Sequence, residues 1–138
     1  MIVVIDTNVL VSALLTRNPE SPTRRIYDYV DSGDIMPLYN DEIIREYKEV
    51  LAREKFHFAS EDVEILIGKI ERCGINSERV AYDEFMKDEK DRVFYEVALS
   101  VDGSFLVTGN IKHFPAVPRV VTPAELIELL EMQRGRYD

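Results

Sequence analysis

The sequence predicts a three-layer α/β/α fold built on a central, mainly parallel sheet of about four to five strands. Short apolar runs alternate along the chain with longer segments in which apolar residues recur at helical spacing. The first run, Ile2 to Ile5, contains no polar residue, as expected of a strand buried on both faces of a parallel sheet. Strands that alternate with helices pair through right-handed crossovers, so we expect helices on both faces of the sheet.

The elements follow in order from local signals. The predicted strands are apolar runs that cover residues 2–5, 35–38, 78–82, 104–108 and 119–121. Ser21 with Pro22 marks the start of one helix, Asn40 caps another, and Pro123 opens the last. The predicted helices cover residues 9–15, 22–31, 41–53, 60–73, 91–101 and 123–132.

Length and composition bound the class of protein. The 138 residues contain no linker-like stretch, so we predict one domain over residues 1–138. The single cysteine excludes an internal disulfide and indicates a reducing cytoplasm, and no apolar run approaches the roughly 18 residues of a membrane span. The net charge of −9 is unlike that of proteins that coat nucleic acid with Lys and Arg. It still allows an enzyme that contacts nucleic acid through a bound cation.

Two carboxylates lie at the borders of apolar patterns, one after a strand and one beside the apolar stripe of a helix. Asp6 follows the first strand directly, and ligands of α/β folds bind beyond the carboxyl ends of the strands. The alternative is that Asp6 caps the next helix. On the helix from residue 41, helical spacing places Glu46 at the rim of the apolar stripe, where a carboxylate is partly desolvated. The alternative for Glu46 is a surface ion pair with Lys48 or Arg53.

Two further acids open the helix predicted at residue 91. Asp88 and Asp91 are three residues apart, which is also the spacing of a helix cap and its partner. We assign Asp88 mainly to capping and Asp91 to the site.

A second polar strand end follows near residue 108. Thr108 and Asn110 come directly after the apolar run of the fourth strand, and Lys112 and His113 follow in the next loop. The latter two are as compatible with a surface loop as with phosphate contacts. Clustered oxygen ligands without a Cys or His set favour Mg²⁺ or Mn²⁺ over zinc.

Four segments together resemble one known family. The stretches DTNVLVSAL, IIREYKEVL, DEKDRVFYEVAL and FLVTGNIKHF are similar, in order and spacing, to those of PIN-domain nucleases. The chain most resembles the PIN proteins described as toxins of type II toxin–antitoxin modules, related to VapC-type toxins, over about residues 2 to 130. The resemblance implies a PIN-like fold and metal-dependent hydrolysis of RNA.

The resemblance also implies roles for individual residues. In this family an aspartate after strand one, a helical glutamate and an aspartate opening a later helix hold Mg²⁺ or Mn²⁺, and the matching residues are Asp6, Glu46 and Asp91. A fourth acid is common where this chain has Asn110, whose amide keeps an oxygen ligand without the charge. Thr108 matches a small polar residue beside that position, and Asn8 matches a supporting position after the first aspartate.

The implied function is an endoribonuclease that cleaves single-stranded RNA as the toxin of a toxin–antitoxin module. The implied partners are the RNA substrate, an antitoxin protein and a second copy of the chain in a homodimer. A catalytically weak PIN-fold domain that binds RNA or protein is the first alternative, favoured by Asn110. A metal-dependent phosphatase with Asp6 as nucleophile is a second, disfavoured because such enzymes carry another aspartate where this chain has Asn8.

Overall fold

The protein contains a five-stranded sheet and six α-helices in the computed structural model, which describes residues 1–135. The strands are β1 (Ile2–Ile5), β2 (Met36–Tyr39), β3 (Ile75–Asn76), β4 (Phe105–Val107) and β5 (Val120–Val121). The helices are α1 (Thr7–Leu15), α2 (Pro22–Ser32), α3 (Asp41–Leu51), α4 (Ser60–Cys73), α5 (Arg92–Ala98) and α6 (Pro123–Gly135). Within residues 1–135, no helix has the length and apolar character needed to cross a bilayer.

The sheet has the strand order β3-β2-β1-β4-β5, and every neighbouring pair is parallel. Consecutive β1 residues Val3, Val4 and Ile5 point to opposite faces, yet each is at most 1% exposed. Both faces of the sheet are therefore covered, which confirms the predicted three-layer α/β/α architecture. The chain builds the sheet from β1 in one direction and then returns to β4 on its other side. The carboxyl ends of β1 and β4 thus form the topological switch point, where open α/β sheets bind ligands.

The capping residues predicted for α2 and α3 are confirmed. The Ser21 side chain accepts a hydrogen bond from the Arg24 N–H at the start of α2, and Asn40 accepts from the Ile43 N–H at the start of α3. Gly33 ends α2 in the left-handed conformation, with a φ of 86°, which glycine adopts without strain. These caps fix the two connections that lead into and out of β2.

The strand predicted over residues 78–82 is wrong. The third strand is Ile75–Asn76, which pairs with the end of β2, and residues 78–82 form no strand. Their backbone instead binds α5, since the Val80 N–H donates to the Glu96 carbonyl at 3.0 Å and the Tyr82 N–H donates to Glu96 Oε2 at 2.7 Å. Helix α5 is also shorter than predicted, because a 3₁₀ turn over Glu89–Asp91 precedes it.

Candidate active site

Asp6 and Thr108 meet where β1 and β4 end. The parallel pairing of Ile5 with Val107 places the next residue of each strand side by side. Thr108 is fully buried, and its Oγ1 donates a hydrogen bond of 2.7 Å to Asp6 Oδ2. Asp6 is itself only 5% exposed. The ends of two central apolar strands therefore bury a carboxylate to which the Thr108 hydroxyl is hydrogen-bonded.

The alternative interpretation, in which Asp6 caps α1, finds no support in the side-chain hydrogen bonds. Asp6 occupies the N-cap position of α1, but its side chain makes no cap hydrogen bond to that helix. Instead Asn8 Nδ2 donates to Asp6 Oδ2 at 3.2 Å, and Asn8 Oδ1 accepts from the Gly109 N–H at 3.1 Å. Asn8 thus ties the loop after β1 to the loop after β4, in keeping with the supporting role predicted for it.

Glu46 is held against the same strand end by α3. The predicted position at the rim of the apolar stripe is correct, since Glu46 is half-buried beside the buried Tyr47. The Tyr47 hydroxyl donates to the Ile5 carbonyl and so anchors α3 to the end of β1. Thr7 Oγ1 then donates to Glu46 Oε2 at 3.2 Å. Neither Lys48 nor Arg53 pairs with Glu46 among the described residues.

Asp91 enters the site from the 3₁₀ turn before α5. Asp88 caps this turn, as predicted, by accepting a hydrogen bond of 3.0 Å from the Lys90 N–H. His113 Nδ1 lies 3.1 Å from Asp91 Oδ2, so the loop after β4 contacts the third carboxylate. Asp88, Asp91 and His113 each present one possible ligand atom within 4.8 Å of the others.

The three carboxylates perturb one another. Burial raises the pKa of Asp6 to about 6; the hydrogen bond from Thr108 opposes the rise, and the negative charges of Asp91 and Glu46 add to it. Burial also raises the pKa of Glu46, to which the charge of Asp91 contributes. The pKa of Asp91 is raised by burial and by Asp88, against the hydrogen bond with His113. Asp6, Glu46 and Asp91 therefore lie within range of one another's charge, although their carboxylate oxygens do not all approach within 4.8 Å of one another.

The side-chain hydrogen bonds engage one oxygen of each carboxylate, and the Thr7 backbone N–H also contributes a hydrogen bond to Asp6. In all three, one oxygen contacts a fixing side chain, and the other receives no side-chain hydrogen bond from residues 1–135. The bonded oxygens are Asp6 Oδ2, Glu46 Oε2 and Asp91 Oδ2. A carboxylate with one oxygen hydrogen-bonded to a neighbouring side chain can present its other oxygen to a hard divalent cation. A cation would also neutralise the charges that raise these pKa values.

Asn110 contributes differently from the predicted fourth ligand. It is exposed, and its backbone N–H donates to Thr108 Oγ1 at 2.9 Å. Its side chain makes no hydrogen bond within residues 1–135. The described contacts therefore place the Asn110 backbone, and not its amide, in the network around Asp6.

Two residues of this network escaped prediction. Thr7 is not among the residues that the sequence analysis assigns to the site, although its hydroxyl donates a hydrogen bond to Glu46. His113 was interpreted as a surface-loop or phosphate-contacting residue, whereas it contacts Asp91. The sequence held one usable signal, since Thr7 and Thr108 both directly follow or end a core strand at the switch point.

One comparison with known proteins gives a match. A family model described as the PIN domain matches residues 2–112, which include every site residue discussed above except His113. No curated protein and no solved structure matches the chain.

Proposed function

Because this chain belongs to the PIN domain family, we propose that it is a metal-dependent endoribonuclease that hydrolyses phosphodiester bonds in single-stranded RNA. PIN domains are typically metal-dependent nucleases. The observation that carries the proposal is that Asp6, Glu46 and Asp91 lie within range of one another's charge at the switch point, each with an oxygen that receives no side-chain hydrogen bond within residues 1–135.

The donor set supports Mg²⁺ or Mn²⁺ as the cofactor. Asp6, Glu46 and Asp91 would hold the cation through carboxylate oxygens, which these ions prefer. Bound there, the cation supplies Lewis acidity that stabilises negative charge on a phosphate and lowers the pKa of water. Asn110 brings no charge to the position where the family resemblance expects a fourth acid, so one cation fits this site better than two.

The chain's own residues orient the reacting groups. Thr108, Thr7 and His113 each fix one oxygen of a carboxylate, which limits the positions that its free oxygen can take. Glu46 is less buried than Asp6. It is therefore the better placed of the two to orient an attacking water as well as to bind metal.

The proposed biological role is the toxin of a type II toxin–antitoxin module in a reducing cytoplasm, as a homodimer that an antitoxin protein inhibits. The support for this role is the resemblance of the four sequence segments to VapC-type toxins. The second candidate is a PIN-fold domain that binds RNA or protein with little turnover, which the uncharged and exposed Asn110 favours.

A cleavage assay on short single-stranded RNAs tests the proposal. We expect cleavage with Mg²⁺ or Mn²⁺, none in excess EDTA, and none from Asp91→Asn purified in the same way. Asp102→Asn is the matched control, because Asp102 is exposed and lies in the turn before β4. Cleavage that persists in Asp91→Asn would reveal a contaminating ribonuclease or a different site. Metal-dependent RNA binding without cleavage would favour the binding domain.

A further inference from the structure

A surface groove of about 610 Å³ opens beside Glu46. It lies between α3 and the 3₁₀ turn before α5, and Glu46 is the one proposed metal ligand among its lining residues. Three cationic side chains line it, Arg45 and Lys48 from α3 and Lys90 from the turn. All three are exposed, and none forms an ion pair within residues 1–135.

The groove also contains two acids besides Glu46, but arginines outside the groove pair with both. Glu42 binds Arg79, with Oε2 and Nη1 2.8 Å apart, and Glu49 binds Arg53, with Oε1 and Nη2 3.4 Å apart. Glu42 and Glu49 therefore form ion pairs with residues outside the groove, whereas the three lining cations form none within residues 1–135. The lining thus carries three acids and three cations, and Glu46 and the cations are the charges left without an ion pair within residues 1–135, on a chain whose net charge is −9.

The groove borders the proposed site at Glu46. Lys90 precedes Asp91 in the sequence, and Arg45 precedes Glu46. Glu46 on α3 and Lys90 on the 3₁₀ turn line the same groove. A negatively charged chain lying on the cations would therefore pass beside Glu46, the proposed ligand that lines the groove.

We propose that this groove binds the phosphate backbone of single-stranded RNA on one side of the cleaved bond, through Arg45, Lys48 and Lys90. The inference rests on the proposed ribonuclease function. An acidic protein repels RNA at long range, so binding needs a local row of cations that leads to the site. Phosphates are the occupant that the geometry favours, because the cations line the same groove as Glu46, one of the carboxylates that would act on a phosphodiester.

The test measures how salt weakens RNA binding. The variant Arg45→Gln/Lys48→Gln/Lys90→Gln is made in the Asp91→Asn background, so that bound RNA stays intact. Binding of a short fluorescently labelled single-stranded RNA is followed by anisotropy over a series of salt concentrations. Each phosphate contact contributes about −0.7 to the slope of log K against log salt for single strands. Losing three contacts should therefore weaken binding and reduce the slope by about 2.

A second triple variant controls for net charge. Arg17→Gln/Lys55→Gln/Arg72→Gln removes the same three charges from exposed positions outside the groove. We expect its slope to equal that of the Asp91→Asn parent. Equal losses in both triples, or an undiminished slope in the groove triple, would overturn the groove assignment while leaving RNA binding intact; an acidic peptide would then be the better occupant. A parent that binds no RNA, with wild type that cleaves none, would overturn the ribonuclease function and the groove with it.

Discussion

Replacing Asp6 with asparagine should stabilise the metal-free protein and abolish its activity. Asp6 is 5% exposed and lies within range of the charges of Asp91 and Glu46, so its ionised form opposes folding. Asparagine has nearly the same shape and no charge. Its Oδ1 can still accept the hydrogen bonds that Thr108 and Asn8 donate to Asp6 Oδ2.

The size of the effect follows from the pKa. The folded state raises the pKa of Asp6 from 3.8 to about 6, and each pKa unit corresponds to about 1.4 kcal/mol. The ionised carboxylate therefore costs up to about 3 kcal/mol of folding free energy at neutral pH. Asparagine is an imperfect copy of protonated aspartate, so we expect a gain of about 1–3 kcal/mol. For a domain of this size that is a rise of roughly 4–12 °C in melting temperature.

The pH dependence provides an internal check. The folded protein favours protonated Asp6 more than the unfolded chain does, because the folded pKa is the higher one. The wild type therefore loses stability as pH rises from about 4 to about 6, and Asp6→Asn does not suffer this loss. The two proteins should melt at similar temperatures near pH 4, and the variant should melt higher above about pH 7.

Thermal melts in EDTA and in Mn²⁺ measure both effects. Metal should stabilise the wild type by RT ln(1 + [L]/Kd) and the variant much less, since the variant lacks one ligand. Asp102→Asn, at an exposed turn, should match the wild type in every condition. The reasoning is refuted if Asp6→Asn melts lower than the wild type in EDTA at pH 7, or if Mn²⁺ stabilises both proteins equally. The first result would mean that the Asp6 carboxylate supports the fold, and the second that Asp6 binds no metal.

Three further substitutions probe the surroundings of the carboxylates, each by calorimetric titration with Mn²⁺. Thr7→Val removes the hydroxyl that donates to Glu46 and should weaken Mn²⁺ affinity about 10–100-fold, whereas Thr7→Ser keeps a hydroxyl and should retain the affinity. Equal affinities of Thr7→Val and the wild type would show that this hydrogen bond does not contribute to metal binding. His113→Ala should weaken affinity by a similar factor through Asp91, and unchanged binding would leave His113 a surface residue. Asn110→Asp should tighten binding, since it restores a charge where the family resemblance expects one. An unchanged or weaker affinity would place Asn110 outside the metal shell.

The fold was predictable because its signals are local. An unbroken apolar run defines β1, and capping residues define the starts of α2 and α3. The strand predicted over residues 78–82 failed for a non-local reason. Its alternating Val80 and Tyr82 look like a strand, but their N–H groups bind Glu96, which lies 14 or more positions further along the chain. No pattern within the segment could reveal that partner.

The site likewise contains residues that local sequence features predict and contacts that they do not. Strand ends are local features, and a parallel sheet gathers them at one edge, so the positions of Asp6 and Thr108 could be predicted. The contact between His113 and Asp91 depends on the 3₁₀ turn over Ile111–His113, which points one side chain of an ordinary loop towards the site. Helical spacing could likewise place Glu46 at a rim without showing that a threonine from another helix would bind it.

Asp6 is the most informative residue in the sequence, because burying its carboxylate among apolar neighbours destabilises the folded state. A carboxylate directly after three buried β1 residues opposes folding, and its side chain does not offset this cost by capping α1. Local and global preferences agree along most of this chain, so a conflict at one residue calls for a compensating gain elsewhere. Capping cannot be that gain for Asp6, whereas a cation shared with Glu46 and Asp91 would remove the burial penalty and the mutual repulsion together. The same charges that weaken the metal-free fold are therefore the ones that would give the cation its affinity.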